Sequence, residues 1–503
     1  MTDTVDYVVI GGGTAGSVLA ARLTEDPDVS VVLLEAGAAE GPAAMSNADA
    51  LSAFALWGSS VDWAYSTTPQ RGTEGVSHAW PRGKVLGGSS SINGLVHLRG
   101  HPSSYDAWEK QGAPGWNHQE MLPFLMRSER VEGGDPGVRG TSGPMVIEQP
   151  PAASPLAQAL FDAAVQAGHP ASEDGNGRQA EGVFWTQHNI AAGRRQSAAD
   201  AYLRPVLDRP SLTVVTGAHV RRLLLDGTRC RGAEYATATG VHTVHAEREV
   251  ILSAGAIGSP QILLLSGIGP AAHLREVGVP VRLDLPGVGE NLHDHPLTWV
   301  SYRTTQAVEP TRSRQAMVLA RTTPDRDPDV LMSLVPSAMK PRWTGSEAGF
   351  SILFALADPA GRGQVRLRGD DPATHPLIDP AYLAVDEDVD RMVTALGMAR
   401  GIAGADALSA WRGEEILPGR DVVDPDACRV YLRHTVGTYF HPVGTCRIGT
   451  DDHAVVDPDL RVRGIDGLRV ADASVMPSVV SANPNAAVLG IAERAAHLVT
   501  TRR

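Results

Sequence analysis

The chain has 503 residues, 43% hydrophobic and 20% charged, which is enough for two or three domains with substantial cores and unlike a disordered or fibrous chain. Its net charge of −13 repels a phosphate backbone and sets nucleic-acid binding aside. The 53 glycines and 35 prolines are dispersed, which predicts many tight turns between short elements and no low-complexity tract or fixed repeat.

No basic residue precedes the first apolar run in MTDTVDY, so no secretory leader is expected and structure should begin at once. In DYVVIGGGTAGSVLAARL, Tyr7 to Ile10 forms a short apolar strand and Ser17 to Leu23 a helix with small residues on its packing face. Gly11, Gly13 and Gly16 between them supply G-x-G-x-x-G: a tight turn, a close backbone approach to a pyrophosphate, and tight helix–strand packing. The helix N-terminus offers free N–H groups and partial positive charge to phosphates. VSVVLLEAG follows as a second strand ending in Glu35, placed to accept from a ribose 2′-hydroxyl, which disfavours a 2′-phosphate and hence NADP. The pattern alone leaves FAD and NAD both open.

WPRGKVLGGSSSINGLVHLRG (residues 80–100) is a second glycine- and serine-rich loop. Gly87 and Gly88 let the backbone pass close to a flat ligand, with Asn93 as a polar anchor. Residues 101–135 read as amphipathic helices, and 136–195 as a Gly- and Pro-rich stretch with short helical pieces. SLTVVTGAHVRRLLLDG and RGAEYATATGVHTVHAEREVILSAGA alternate apolar and polar residues, as strands returning to the first sheet do. VILSAGAIGSPQILLLSGIG is uncharged and about bilayer length, yet its Pro260, Gln261, serines and glycines predict a buried strand, a turn and a helix. In NLHDHP, His293 and His295 flank Asp294, but no third ligand lies at a supportive spacing, so a structural turn is preferred to a metal site.

From 301 to 435 the pattern is mixed, with strands in DVLMSLVP and GFSILFALAD and a helix from about Asp386 to Ala403, and reads as a substrate-covering domain. GTYFHPVGTCRIG then places His441 in a glycine-rich loop. Alone, such a histidine is ordinarily a hydrogen-bonded core or surface residue. The last segment, from DGLRVADASVMP through NPN to the final helix, closes back on the nucleotide domain. Cys230, Cys428 and Cys446 are odd in number and far apart, which argues against a disulfide framework or zinc ribbon and for a reducing, cytoplasmic setting.

Five blocks in order carry a resemblance over essentially the whole chain: GKVLGGSSSIN, GAIGSPQILLLSGIG, HPVGTCRIG, GLRVADASVMP and NPN. Together they resemble the glucose-methanol-choline (GMC) flavin oxidoreductases. The resemblance implies an α/β two-domain fold: a Rossmann-like FAD-binding domain (1–150, 195–300 and 436–503) and a substrate-binding domain on a mainly antiparallel sheet with helices (151–194 and 301–435). It implies FAD in place of NAD, and no metal.

By the same resemblance His441 is the catalytic base and Asn483 its partner at the reacting carbon. Gly11, Gly13, Thr14, Ala15 and Gly16 meet the pyrophosphate, and Glu35 with Ala36 the adenosine ribose. Val85, Gly88, Asn93, Gly94, Leu95 and Val96 lie along the flavin, and Val220 meets the adenine through its backbone. Phe440 adjoins the ring, Asp472 and Ala473 the phosphate or ribityl region, and Asn485 and Ala486 the pyrimidine edge. Some relatives tether FAD through a histidine of the Gly-Gly-Ser loop. That position is Ile92 here, so non-covalent FAD is expected.

The implied reaction is oxidation of an alcohol CH–OH, with O2 or a quinone-like acceptor reoxidising the flavin and no membrane partner. Tyr439 and Phe440 beside the base point to an apolar or aromatic-tolerant pocket. The alternative is a hydroxynitrile lyase of the same fold with structural FAD. A non-catalytic flavin binder has no reason to keep both His441 and Asn483, and the later flavin-loop blocks disfavour a nicotinamide dehydrogenase. The alcohol, the acceptor and the oligomeric state stay open at this level.

Overall fold

The computed structural model describes residues 4–150, 152–308 and 314–501. Two seven-stranded sheets organise it. In the first, the path runs Leu212–Val215, Val31–Leu34, Thr4–Ile10, Gly240–Leu252, Arg229–Thr237, His219–Asp226, and Leu468–Val470 also pairs with Gly240–Leu252. The pairs at its centre are parallel, Tyr7 to Ile10 lying beside Val31 to Leu34 on one side and Glu249 to Leu252 on the other. The Arg229–Thr237 and His219–Asp226 strands continue antiparallel. Both faces of the parallel centre are covered, so Val8, Val9, Ile10 and Leu33 are fully buried. The Thr14–Leu23 and Asn485–Thr501 helices pack together there, and Arg22 of the first is paired to buried Glu493 of the second at 2.7 Å.

In the second sheet the path runs Arg412–Leu417, Pro296–Thr304, Phe350–Leu356, Val330–Val335, Ala316–Ala320, Gly182–Trp185, and Gly437–Thr438 pairs with Pro296 and Leu297. Every pair in it is antiparallel. Side chains alternate along its strands. Phe350, Ile352, Phe354 and Leu356 pack against Leu156 and Leu160 of the Pro155–Gln166 helix and Met392 and Leu396 of the Asp386–Gly404 helix. Leu353 and Ala355 face the other way, with Leu297, Trp299 and Met339. That second face is a wall of the site.

This sheet begins at Pro296 and takes in Gly437–Thr438, so the expected boundaries at 300/301 and 435/436 fall beside or inside its strands. The Pro296–Thr304 strand is buried along its first seven residues, and such a run carries no alternation to mark which sheet it joins. The uncharged Val250–Gly269 stretch is the end of a strand, the Gly255–Leu265 helix and the short Ile268–Gly269 strand. Among the described residues no helix is long and apolar enough to cross a membrane. The three cysteines are buried and unbridged.

Candidate active site

A cavity of about 390 Å³ lies where the two sheets meet, lined by both the glycine turn and the His441 loop. At the turn, Gly16 sits so close under Gly11 that an added Cβ would stand 1.8 Å from the Gly11 carbonyl oxygen. Gly88 (φ +54°) brings the second glycine loop against the first, since its Cβ would reach 2.8 Å from the Gly13 Cα. Only bare backbone allows both approaches. The result is a strand, a turn and a helix N-terminus roofed by a second loop, a cradle shaped for a pyrophosphate.

Glu35 ends the second strand with its carboxylate accepting from the Gly12 and Gly37 amides, at 2.8 and 2.7 Å. Burial pushes its carboxyl up to about 7, against the two amides and Lys84, which pull it down. Thr14 Oγ1 donates to Asn485 Oδ1 at 2.8 Å, across almost the whole length of the chain. The Asn485 Nδ2 is then left buried at the cavity wall with no partner in the protein. A buried amide donor is costly to leave unpaired, and a carbonyl or phosphate oxygen of bound FAD would be a suitable acceptor for it. Trp63 stacks on Tyr65 with ring centroids 5.7 Å apart, and Trp63, His219 and Val220 close one end. A paired donor–acceptor cradle, a ribose-type carboxylate, an orphan amide and a flat aromatic end together fit FAD.

Of the residues singled out from sequence, Gly11, Gly13, Thr14, Ala15, Glu35 and Ala36 line the cavity. So do Gly88, Asn93, Gly94, Val96, Val220 and Phe440, and Asp472, Ala473, Asn485, His441 and Asn483. Gly16, Val85, Leu95 and Ala486 lie behind the wall and support it. Asn93 Oδ1 is taken up by Arg195 Nη1 (2.8 Å) and the Leu95 amide (3.0 Å), which orients the loop. The Asp472 carboxylate is occupied by the Gly255 and Ser474 amides and the Ser259 hydroxyl. It braces the N-terminus of the Gly255–Leu265 helix, and Ile92 presents apolar carbon to the cavity.

His441 follows the two-residue Gly437–Thr438 strand, after Phe440 in a left-handed conformation (φ +64°). Phe440 is held there by its amide on Thr438 Oγ1 (2.7 Å) and its carbonyl on Arg82 Nη2 (2.7 Å). Beneath the loop lies Asp294, fully enclosed and accepting from the His441 and His295 amides, Thr438 Oγ1 and the Tyr382 hydroxyl. Burial raises its carboxyl, opposed by those donors and by Arg82.

The His441 Nδ1 is 2.9 Å from His295 Nδ1, and its Nε2 is 3.1 Å from Asn483 Nδ2. With the Asn483 amide assigned so that Nδ2 meets the ring, Nδ2 donates and His441 Nε2 accepts, which puts the His441 proton on Nδ1, aimed at the His295 Nδ1 lone pair. Burial pushes both imidazoles down, His295 to about 4 and His441 well below its ordinary range with help from His295 and Arg82. Both rings are therefore neutral near pH 7, with one basic lone pair on the cavity.

Asp294 and His295 come from NLHDHP, and sequence reasoning missed them. The two histidines of that block part company: His293 Nε2 turns back to Asn291 Oδ1, while His295 meets His441. Among the described residues no group of histidines, cysteines and carboxylates is placed to hold a metal. Beyond the base, Phe54, Trp57, Trp343 and Phe440 form a chain of ring contacts at 4.6 to 5.9 Å. Val335 and Leu353 of the second sheet, with Met339, line the same cavity, and Trp343 packs against their cluster.

Models of the GMC oxidoreductase N- and C-terminal regions match residues 5–297 and 359–492. The chain is 37% identical to the mitochondrial choline dehydrogenase of Homo sapiens, over 99% of its own length and 90% of the relative's. It is 37% identical to the oxygen-dependent choline dehydrogenase of Sinorhizobium fredii, over 98% and 94%. Pyridoxine 4-oxidase from Mesorbium loti superposes with a TM-score of 0.93 at 38% identity, covering 98% of each chain. The chain belongs to the GMC oxidoreductase family.

Proposed function

We propose that this GMC oxidoreductase, an FAD-dependent alcohol oxidoreductase, removes the hydroxyl proton of its substrate with His441 as the carbon gives up a hydride. The observation that carries the reading is the neutral His441 Nε2, fixed as an acceptor beside Asn483 on the cavity that Gly11, Glu35 and Asn485 also line. Bound FAD supplies the two-electron acceptor for that hydride.

Each protein group then has a defined task. The alcohol oxygen enters on the cavity side of His441 Nε2 and Asn483 Nδ2 and takes over the hydrogen bond that now joins them directly at 3.1 Å. Nε2 takes the hydroxyl proton. Asn483 has no proton to lose and donates to the oxygen as its negative charge grows, which also aims the C–H bond. The imidazolium formed on His441 is stabilised through Nδ1–H by His295 and from beneath by Asp294. The aldehyde or ketone leaves with the hydroxyl proton on His441, which releases it to solvent before the next turnover, and the aromatic wall limits water while charge develops.

Gly11, Gly13 and Thr14 would hold the pyrophosphate, Glu35 the ribose and Asn485 the ring edge. With Ile92 at the tether position, the cofactor is non-covalent, so acid precipitation should leave flavin in the supernatant. Among relatives and neighbours, a name that includes oxygen dependence and names of oxidases favour O2 or a quinone-like acceptor for reoxidation. Three buried, unbridged cysteines favour a reducing, cytoplasmic compartment. The test is the visible spectrum of the purified holoprotein, titrated anaerobically with alcohols and then opened to air. Bleaching supports alcohol oxidation, and the speed of recovery in air separates an oxidase from a dehydrogenase. A flavin band that no alcohol bleaches overturns the reading and returns the lyase chemistry.

A further inference from the structure

We infer that the substrate end of the cavity takes a neutral aromatic alcohol and rejects a quaternary-ammonium alcohol such as choline. The inference rests on the alcohol-oxidation reading above and names its substrate class. Shape supplies the first half. Past His441 the wall is a run of rings, Trp57 on Phe54 at 4.6 Å and on Phe440 at 4.7 Å, with Trp343 5.4 Å from Phe54. Lining the same cavity are Val335 and Leu353 of the second sheet, with Met339, and Trp343 packs against their cluster. An arene set against these rings and aliphatic side chains gains both burial and ring contacts.

Rings alone do not decide, because an aromatic face also attracts an organic cation. Charge decides. Among the described lining residues the carboxylates are Glu35 and Asp472, and both are committed elsewhere. Glu35 serves the amides of the glycine turn, and Asp472 braces the Gly255–Leu265 helix. The fixed charge at the substrate end is the guanidinium of Arg82, whose Nη2 donates to the Phe440 carbonyl.

The acids that balance Arg82 stand outside the wall and are saturated. Asp294 is enclosed by its four donors, and Asp62 accepts from the Gly58, Ala64 and Arg82 amides. A trimethylammonium group has no N–H to donate. It would enter a desolvated site beside Arg82 with no facing anion, and a buried charge without a partner is expelled. A neutral arene meets the same rings and carries no such penalty.

The holoenzyme is mixed anaerobically with benzyl alcohol, n-hexanol and choline at equal concentrations, and loss of the flavin band is followed. Benzyl alcohol should reduce the flavin with an efficiency at least about a hundredfold above choline and above the aliphatic alcohol. Choline reducing as fast as benzyl alcohol overturns the substrate inference and leaves alcohol oxidation standing, as does n-hexanol matching benzyl alcohol. Reduction by none of the alcohols overturns the oxidation reading, and this inference with it. Binding is read separately from turnover: anisole should perturb the flavin spectrum saturably and tetramethylammonium should not, and the reverse order overturns the inference.

Discussion

Replacing His295 by leucine removes the acceptor from the unreactive side of the base while keeping the volume close. In the native site the His441 Nδ1 proton points at His295 Nδ1 over 2.9 Å, with His295 fully buried. Without that acceptor two arrangements remain. The proton can stay on Nδ1 as a buried, unpaired donor, at about 1–3 kcal/mol. Or it can move to Nε2, where it confronts the Asn483 amide and abolishes the lone pair the reaction needs. The second arrangement is the resting state once the penalty is felt, and reaction then requires return to the first. The limiting rate of flavin reduction should fall by about 5- to 150-fold, the same 1–3 kcal/mol expressed as a rate.

His295→Asn separates positioning from bulk structure. Its amide oxygen is able to accept from His441 Nδ1, so it should recover to within about fivefold of wild type, a residual cost near one ordinary hydrogen bond. Anaerobic stopped-flow reduction, with FAD content and melting temperature measured on the same samples, is the assay. The reasoning fails if His295→Leu reduces at the wild-type rate, or if the asparagine variant is no faster than the leucine one.

Four further outcomes are expected. His441→Ala should retain FAD and slow flavin reduction by at least about a hundredfold, the typical worth of a general base, and near-normal reduction would remove His441 from the role. Because burial, His295 and Arg82 lower the His441 pKa, the wild-type acid limb should lie below pH 6.5, since a depressed base stays unprotonated further into acid; a limb at or above 6.5 contradicts this. Asn483→Ala should slow reduction by about a hundredfold, as loss of one oxyanion donor does, while the acid limb survives; its disappearance would reassign the titrating group. Glu35, raised to about 7, is ionised more readily when a ribose hydroxyl donates to it, so FAD affinity should fall as the pH drops through 7, by at most about tenfold per unit. Fluorescence titration of the apoprotein should show that slope in wild type and not in Glu35→Gln.

What the sequence made legible was local. The G-x-G-x-x-G turn and Glu35 sit within one strand–helix–strand unit, where spacing alone sets geometry, and the structure brings them onto one cavity. The strands in DVLMSLVP and GFSILFALAD were legible from short apolar runs with turn residues around them. His441 was not legible from its own loop; it gained a role only through the family resemblance. Asp294 and His295 were missed because their partners lie 147 and 146 residues away, so that no window around NLHDHP contains the evidence. The aromatic wall was hidden for the same reason: Phe54, Trp57, Trp343 and Phe440 show no shared period and come together only when the second sheet is in place.

The junction of the first and last helices sets a timetable for the molecule. Thr14 is made early and waits for Asn485, and Arg22 waits for Glu493, each pair separated by 471 residues. Until the final helix docks, the glycine turn faces an open groove and Arg22 lacks its buried counter-ion. A chain on the ribosome therefore has no finished seat for its cofactor, and contacts of such long range are slow to form because so much chain must be ordered first. A cofactor that binds only the closed seat stabilises the finished protein by mass action and offers nothing to the growing chain.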